Sequence, residues 1–271
     1  MSDWFLHHVN MPAHDVRQTA RFLGEVIGLK EGIWIYPDRQ GELHHDEQSI
    51  AYFGTGNQGI HVVRPITTFT RDNGFLHNPT IGGHFALGVE DVAAVKSRLE
   101  NAGVAVTDAG IYAMSGVHQI YCYDPSFNVI EINEMRAPLP AGQLEKQDKS
   151  ADVALHTVSI PAHDLAASVA FFRDLIGLGD GNIVSNAGSS CAEFSGADAC
   201  LRLTQPSATF AGDNDLLHNP TTTPCFSITV ADLAAVRERM ASQDIEFSDL
   251  TPGELLVFCP SLRLIAVRDA A

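Results

Sequence analysis

LHHVNMPAHDVRQTARFLGEVIGL, from Leu6 to Leu29, returns as LHTVSIPAHDLAASVAFFRDLIGL, from Leu155 to Leu178. A repeat of this length decides the architecture before any local propensity is consulted. Two further segments recur in the same order. DNGFLHNPTIGGHF around His77 matches DNDLLHNPTTTPCF around His218, and YCYDPSFNVIEINE around Pro125 matches LVFCPSLRLIAVRD around Pro260. The spacing between copies shrinks along the chain, which marks deletions in the second half. Between the copies, the run from Arg136 to Asp152 carries two prolines, mixed charge and no apolar period, the composition of a linker. The chain therefore divides into residues 1–137, a linker over 138–151, and residues 152–271.

A finer repeat lies inside each half. His8, His84, Thr157 and Cys225 each stand seven residues ahead of an aspartate, namely Asp15, Asp91, Asp164 and Asp232. Each aspartate is placed to cap a helix, and the segments that follow carry apolar residues at helical spacing, such as Val92, Val95 and Leu99. Short β-rich runs come next, for instance Ser49 to Phe53, Gly59 to Val63, Gln119 to Tyr123 and Val129 to Asn133. The unit reads βαβββ and is written four times. The expected fold is α+β: two tandem domains, each a pair of βαβββ modules forming a cupped mixed sheet.

Composition agrees with this and narrows the function classes. Of 271 residues, 45% are hydrophobic and 18% charged, enough for ordinary cores and unlike a disordered chain. A formal net charge of -16 repels phosphate backbones, so nucleic acid is not an expected partner. No apolar run approaches the roughly 18 residues of a membrane span, and MSDWFLHHVN has no signal-peptide pattern. A cytoplasmic protein with no membrane partner is expected. Five cysteines without a C-x-x-C pair give neither a disulfide framework nor a cysteine zinc site.

Strand alternation sorts the faces. His7, Val9 and Met11 share one side of the first strand, and His8 and Asn10 the other; Phe85, Leu87 and Val89 oppose His84, Ala86 and Gly88. The apolar sides belong under the helices, and the polar sides line the inside of the cup. There the N-terminal half collects His8, His61, His84 and Glu131, with Tyr121 on a neighbouring strand. Two imidazoles and a carboxylate on one side of an ion leave adjacent positions open, which suits Fe(II), Mn(II), Ni(II) or Zn(II). The second half serves as an internal control. It has Thr157 for His8, Arg202 for His61, Cys225 for His84, Leu256 for Tyr121 and Ala266 for Glu131, while PAHD, LHNP and Pro125/Pro260 persist. Scaffold positions are kept and chelating positions are not, so the fold itself does not demand the chelating set.

The H-x7-D pattern, its second copy GGHFALGVED and the closing DPSFNVIEINE resemble the vicinal oxygen chelate superfamily of glyoxalases, bleomycin- and fosfomycin-resistance proteins and extradiol ring-cleaving dioxygenases. The resemblance covers both halves. It implies His8, His84 and Glu131 as metal ligands, with Phe127 departing from the family's usual glycine in the turn before Glu131. Tyr121, four residues before the proline, and His61 as an acid-base group beside the metal resemble the extradiol enzymes; glyoxalases usually carry a glutamate ligand at the His61 position. The implied activity is ring cleavage of a catechol-like aromatic diol with Fe(II) and O2. The alternatives are a glyoxalase-like isomerase or lyase using Ni, Zn or Mn, with His61 as a fourth ligand, and a metal-free binding or resistance protein. Assembly into a homo-oligomer is left open.

The other histidines are read as follows. His118, just ahead of the Tyr121 strand and with Gly253 at its counterpart, is taken as a catalytic, substrate-contacting residue. His7 and His156 are assigned to the apolar face, His14 and His163 to the PAHD turns, His77 and His218 to the duplicated loop, and His44 and His45 to a solvated hairpin. Trp34, Tyr36 and Phe53 are core or pocket aromatics.

Overall fold

The computed structural model describes residues 4–32, 48–55, 58–110, 118–134, 154–186, 189–196 and 199–270. The linker and the aromatic and histidine positions Trp34, Tyr36, His44 and His45 lie outside these. The N-terminal half runs β1 (Phe5–Pro12), α1 (Val16–Arg21), β2 (Ile50–Thr55), β3 (Gln58–Val63), α2 (Phe69–Asn73), β4 (His84–Val89), α3 (Val92–Asn101), β5 (Val106–Gly110), β6 (Gln119–Tyr123) and β7 (Val129–Glu134). The C-terminal half repeats the plan with β8 (Ala154–Pro161), α4 (Leu165–Ala170), β9 (Asn182–Asn186), β10 (Ser189–Ser195) and β11 (Cys200–Thr204). It continues with α5 (Phe210–Asp213), β12 (Cys225–Val230), α6 (Leu233–Ser242), β13 (Phe247–Thr251), β14 (Glu254–Phe258) and β15 (Leu264–Asp269).

All four aspartates cap their helices. Asp15, Asp91, Asp164 and Asp232 accept hydrogen bonds from the backbone N–H three residues on, at 2.9, 2.8, 2.9 and 2.9 Å. Each satisfies one of the donors that a helix start leaves free. A feature that periodicity does not reveal follows α1 and α4: each continues into a π-helical turn, Phe22–Ile27 and Phe171–Ile176.

The strands form two mixed sheets, ordered β2-β3-β1-β4-β7-β6-β5 and β13-β14-β15-β12-β8-β11-β10-β9. Within each, the two modules meet at a central antiparallel pair, β1/β4 or β8/β12, flanked on both sides by parallel neighbours. Val9, Met11, Phe85, Leu87, Val158, Ile160 and Ile228 face a core that continues across both halves, with the helices between the sheets. Helix α3 packs on the π turn of the other half, and α6 on that of the first. Arg98 donates to the Leu175 and Ile176 carbonyls at 2.8 and 3.1 Å, and Arg239 to those of Val26 and Ile27 at 2.7 and 3.2 Å. Each guanidinium thus serves the free carbonyls that end the opposite π turn. Gly28 and Gly177 close those turns at φ of 92° and 93°, and a Cβ there would also press on the guanidinium. No described helix is long and apolar enough to cross a membrane.

Candidate metal centre

Three strands bring three side chains together. His8 on β1, His84 at the start of β4 and Glu131 on β7 are 2%, 9% and 2% exposed, and their ligand atoms all lie within 4.8 Å of one another. Glu131 Oε2 is 2.9 Å from His84 Nε2 and 3.5 Å from His8 Nε2, and the two Nε2 atoms are 3.3 Å apart. Donors sharing one ion at bonds of about 2.1 Å stand about 3.0 Å apart on an octahedron and about 3.4 Å apart on a tetrahedron. The observed separations span that range, so the donor set fits a divalent transition metal.

The outward atom of each side chain is also held. His84 Nδ1 is 2.9 Å from the Pro79 carbonyl, a bond that makes Nδ1 the protonated nitrogen and leaves Nε2 with its lone pair. Glu131 Oε1 accepts from Gln119 Nε2 at 3.0 Å, and His8 Nδ1 lies 2.8 Å from His7 Nδ1. Such outer bonds fix ring orientation and tautomer in metal sites. The electrostatics run the same way. Burial holds His7 down to about 3 and lowers His8 as well. Burial works to raise Glu131, but the attraction and hydrogen bonds of His8 and His84 outweigh it and keep the carboxyl well below its usual range. A lowered His8 and a lowered Glu131 both favour the unprotonated forms that metal ligation needs.

The surroundings are aromatic and buried. His61 on β3 is 4% exposed and stacks on His8, ring centroids 4.0 Å apart and planes 20° from parallel, outside the convergent trio. Tyr52 lies 5.5 Å from His61, and Tyr121 stands edge-on to His84 at 5.8 Å with Phe75 beyond it at 6.1 Å. Tyr121 is the direct cross-strand neighbour of Glu131. Asn133, two residues beyond Glu131, has both amide atoms buried and without a hydrogen bond among the described residues, so this face holds further buried polar capacity.

Three sequence readings need correction. Neither His7 nor His156 faces the core. The β1/β4 register shifts between Leu6 and His8, a bulge that turns His7 toward the cup beside Phe5 and His8. The β8/β12 register shifts between Ser227 and Ile228, opposite His156, whose ring lies against Arg268. His118 is not brought to the trio; its Nε2 bonds Asp108 Oδ1 at 2.7 Å, and Asp108 also pairs with Lys96 of α3 at 2.7 Å. That anchors it on the helix-covered side, opposite the phase of Gln119 and Tyr121. Phe53 is fully buried in the core, as its reading as a core or pocket aromatic allowed, and its neighbour Tyr52 faces the site. The Phe127 turn is nonetheless built: Phe127 adopts φ of 63° while Asp124 accepts from the N–H groups of Ser126 and Asn128, and Leu262 repeats the conformation at φ of 57°. His77 holds the duplicated loop in place, its Nδ1 2.8 Å from Thr107 Oγ1 and its ring 4.6 Å from Tyr123.

Gln119, His7, Tyr52 and the Pro79 carbonyl are site groups that sequence reasoning passed over. Gln119 had a signal, since it shares the phase of Tyr121. The bulge at His7 had none.

Residues 7–123 match the family described as Glyoxalase/Bleomycin resistance protein/Dioxygenase superfamily. No curated protein sequence matches the chain. Among solved structures it is similar to a halotolerant catechol dioxygenase at 10% identity, with a TM-score of 0.63 over 98% of this chain and 86% of that one. The Mn(II)-bound glyoxalase from Novosphingobium aromaticivorans aligns at 12% identity and a TM-score of 0.62, covering 97% and 81%. Homoprotocatechuate 2,3-dioxygenase from Arthrobacter globiformis aligns at 9% and 0.64, covering 99% and 80%. At such identities these likenesses show the fold, two tandem glyoxalase-like domains.

Proposed function

With residues 7–123 falling in the glyoxalase, bleomycin resistance and dioxygenase superfamily, we propose that this chain is a metal-dependent vicinal oxygen chelate enzyme. Within that class we assign it as an extradiol-type dioxygenase that opens a catechol-like diol with Fe(II) and O2. The observation that carries the assignment is that, among the described residues, three donors converge and not four. His8, His84 and Glu131 meet, and His61 lies flat against His8 instead of joining them. Three protein ligands on one side of an ion leave neighbouring positions for both oxygens of a diol and for a second small molecule. When bound, Fe(II) supplies Lewis acidity toward the diol oxygens and a path for electrons from ring to O2.

The chain's own groups do the rest. His61 takes a phenolic proton from the incoming diol and later returns it, the role to which an imidazole is best matched near neutral pH. Tyr121 hydrogen-bonds a substrate oxygen, and Tyr52, Phe75 and Tyr121 offer flat walls for an aromatic ring. Burial of every one of the polar groups, at 9% exposure or less, keeps bulk water from the reacting atoms.

A second reading, a glyoxalase-like isomerase or lyase using Mn(II), Ni(II) or Zn(II), draws on the fold likeness to the Mn(II)-bound glyoxalase. It requires His61 as a fourth ligand. His61→Ala separates the two: an acid-base role predicts unchanged Fe(II) content and turnover lower by about 10²- to 10⁴-fold. Loss of metal with the same change would favour the isomerase.

A further inference from the structure

The C-terminal cup has lost the chelating set, yet it has not been filled. Thr157, Cys225, Ser227 and Ala266 form its floor, and a cavity of about 140 Å³ remains above them. A cup kept only for support would be expected to close over larger apolar side chains, because protein interiors pack densely. Here small residues preserve the space, and Ser227 Oγ is buried there without a hydrogen bond among the described residues.

The charged groups have been rebuilt together. By strand register Arg202 stands where the other cup has His61, Arg268 where it has Asn133, Glu254 where it has Gln119 and Glu193 where it has Tyr52. Arg202 is paired with Glu193, Nη2 to Oε1 at 2.7 Å. Among the described residues Arg268 hydrogen-bonds only an imidazole, its Nη1 3.0 Å from His156 Nδ1 and 3.2 Å from Nε2, and Nδ1 lies 2.7 Å from Thr157 Oγ1. Burial lowers His156, with both arginines adding to the effect, so the imidazole brings Arg268 no countercharge. Glu254 is the direct cross-strand neighbour of Arg268, yet no ion pair joins them among the described residues. Burial raises the Glu254 carboxyl, the two arginines only partly opposing it.

We propose that the C-terminal cup is a metal-free binding site for a small monocarboxylic acid, in which Arg268 receives the carboxylate and Leu250, Leu256 and Phe210 enclose the apolar body. A guanidinium takes the place that a metal ion would have in the other cup, as the fixed positive group to which ligand oxygens bind. Arg202 is already held by Glu193, so Arg268 alone remains to receive an anion, which selects a monocarboxylate over a phosphate or a dicarboxylate. The volume sets the size, since a cavity of about 150 Å³ accommodates benzene. The proposal does not depend on the chemistry of the N-terminal cup.

The test is calorimetric titration of the full chain, stripped of metal and dialysed, with sodium benzoate. Saturable one-site binding is expected, weakened about 10- to 100-fold by Arg268→Gln. Ala266→Leu, which fills the floor without touching a charge, should abolish it, with circular dichroism melting to establish that each variant is folded. Absence of saturable binding up to about 10 mM, a range that detects even weak complexes, would overturn the proposal. So would binding that survives both substitutions and is lost in His84→Ala, because the anion would then sit in the N-terminal cup.

Discussion

Replacing Gln119 with leucine should weaken metal binding while leaving the three ligands in place. Gln119 is 1% exposed, and its Nε2 donates at 3.0 Å to Oε1 of Glu131, the carboxylate oxygen turned away from the histidines. A hydrogen bond to a charged group is worth about 1.5 to 3 kcal/mol. Without it Oε1 stays buried and loses a donor, and the carboxylate is free to rotate. At about 1.4 kcal/mol per tenfold, the dissociation constant for Fe(II) or Mn(II) should rise by about 10- to 100-fold, the usual size of an outer-shell effect. Leucine has a similar volume and suits a buried strand, so the fold should persist. The assay is anaerobic competition with a chromophoric chelator, with thermal melting as the control. A folded Gln119→Leu variant that binds metal as tightly as wild type would refute the argument that Glu131 is a ligand oriented by this amide.

Other perturbations probe the scaffold. Arg239→Ala removes two bonds to the carbonyls that end the first π turn. It should cost about 2 kcal/mol, at part-buried charge-assisted bonds, and lower the melting temperature by about 4 to 8 °C in a chain of this size; Arg98→Ala should cost a similar amount, and an unchanged melt for both would show that the latches contribute nothing. The cysteines should be chemically quiet: burial pushes Cys122 and Cys225 up to about 12 and Cys200 up to about 11. Only thiolate reacts, so alkylation by iodoacetamide near pH 8 should be slow in native protein and go to completion in denaturant, and rapid native labelling at Cys225 would contradict its burial.

What the sequence discloses here depends on how far each periodicity carries. The aspartates before Val16, Val92, Leu165 and Leu233 are legible because a helix start needs an acceptor three residues ahead of a specific N–H. The common phase of His84, Ala86 and Gly88 is legible because β4 itself carries no inserted residue, the bulge in its pairing lying on β1. His7 is misassigned because one inserted residue reverses every inference made by alternation on that side of it. His118 lies near a second irregularity, between Asp108 and Gly110, and is claimed by Asp108, a carboxylate that Lys96 of α3 also holds. Gln119 shares the phase of Tyr121, but an amide offers no ligand chemistry of its own, so nothing in its type draws attention. The contacts of Arg98 and Arg239 with the opposite π turns join the two halves across 77 and 213 residues, and no local pattern encodes such pairings.

The central claim is that the His8, His84 and Glu131 face serves oxygen chemistry on an aromatic diol. The most direct measurement is O2 uptake by protein purified anaerobically and loaded with Fe(II), followed with an oxygen electrode across a panel of substituted catechols. The account predicts that at least one catechol drives uptake of one O2 per ring opened, and that Glu131→Ala abolishes it. No uptake with any catechol, together with isomerisation of a hemithioacetal by the Mn(II)- or Ni(II)-loaded protein, would contradict it.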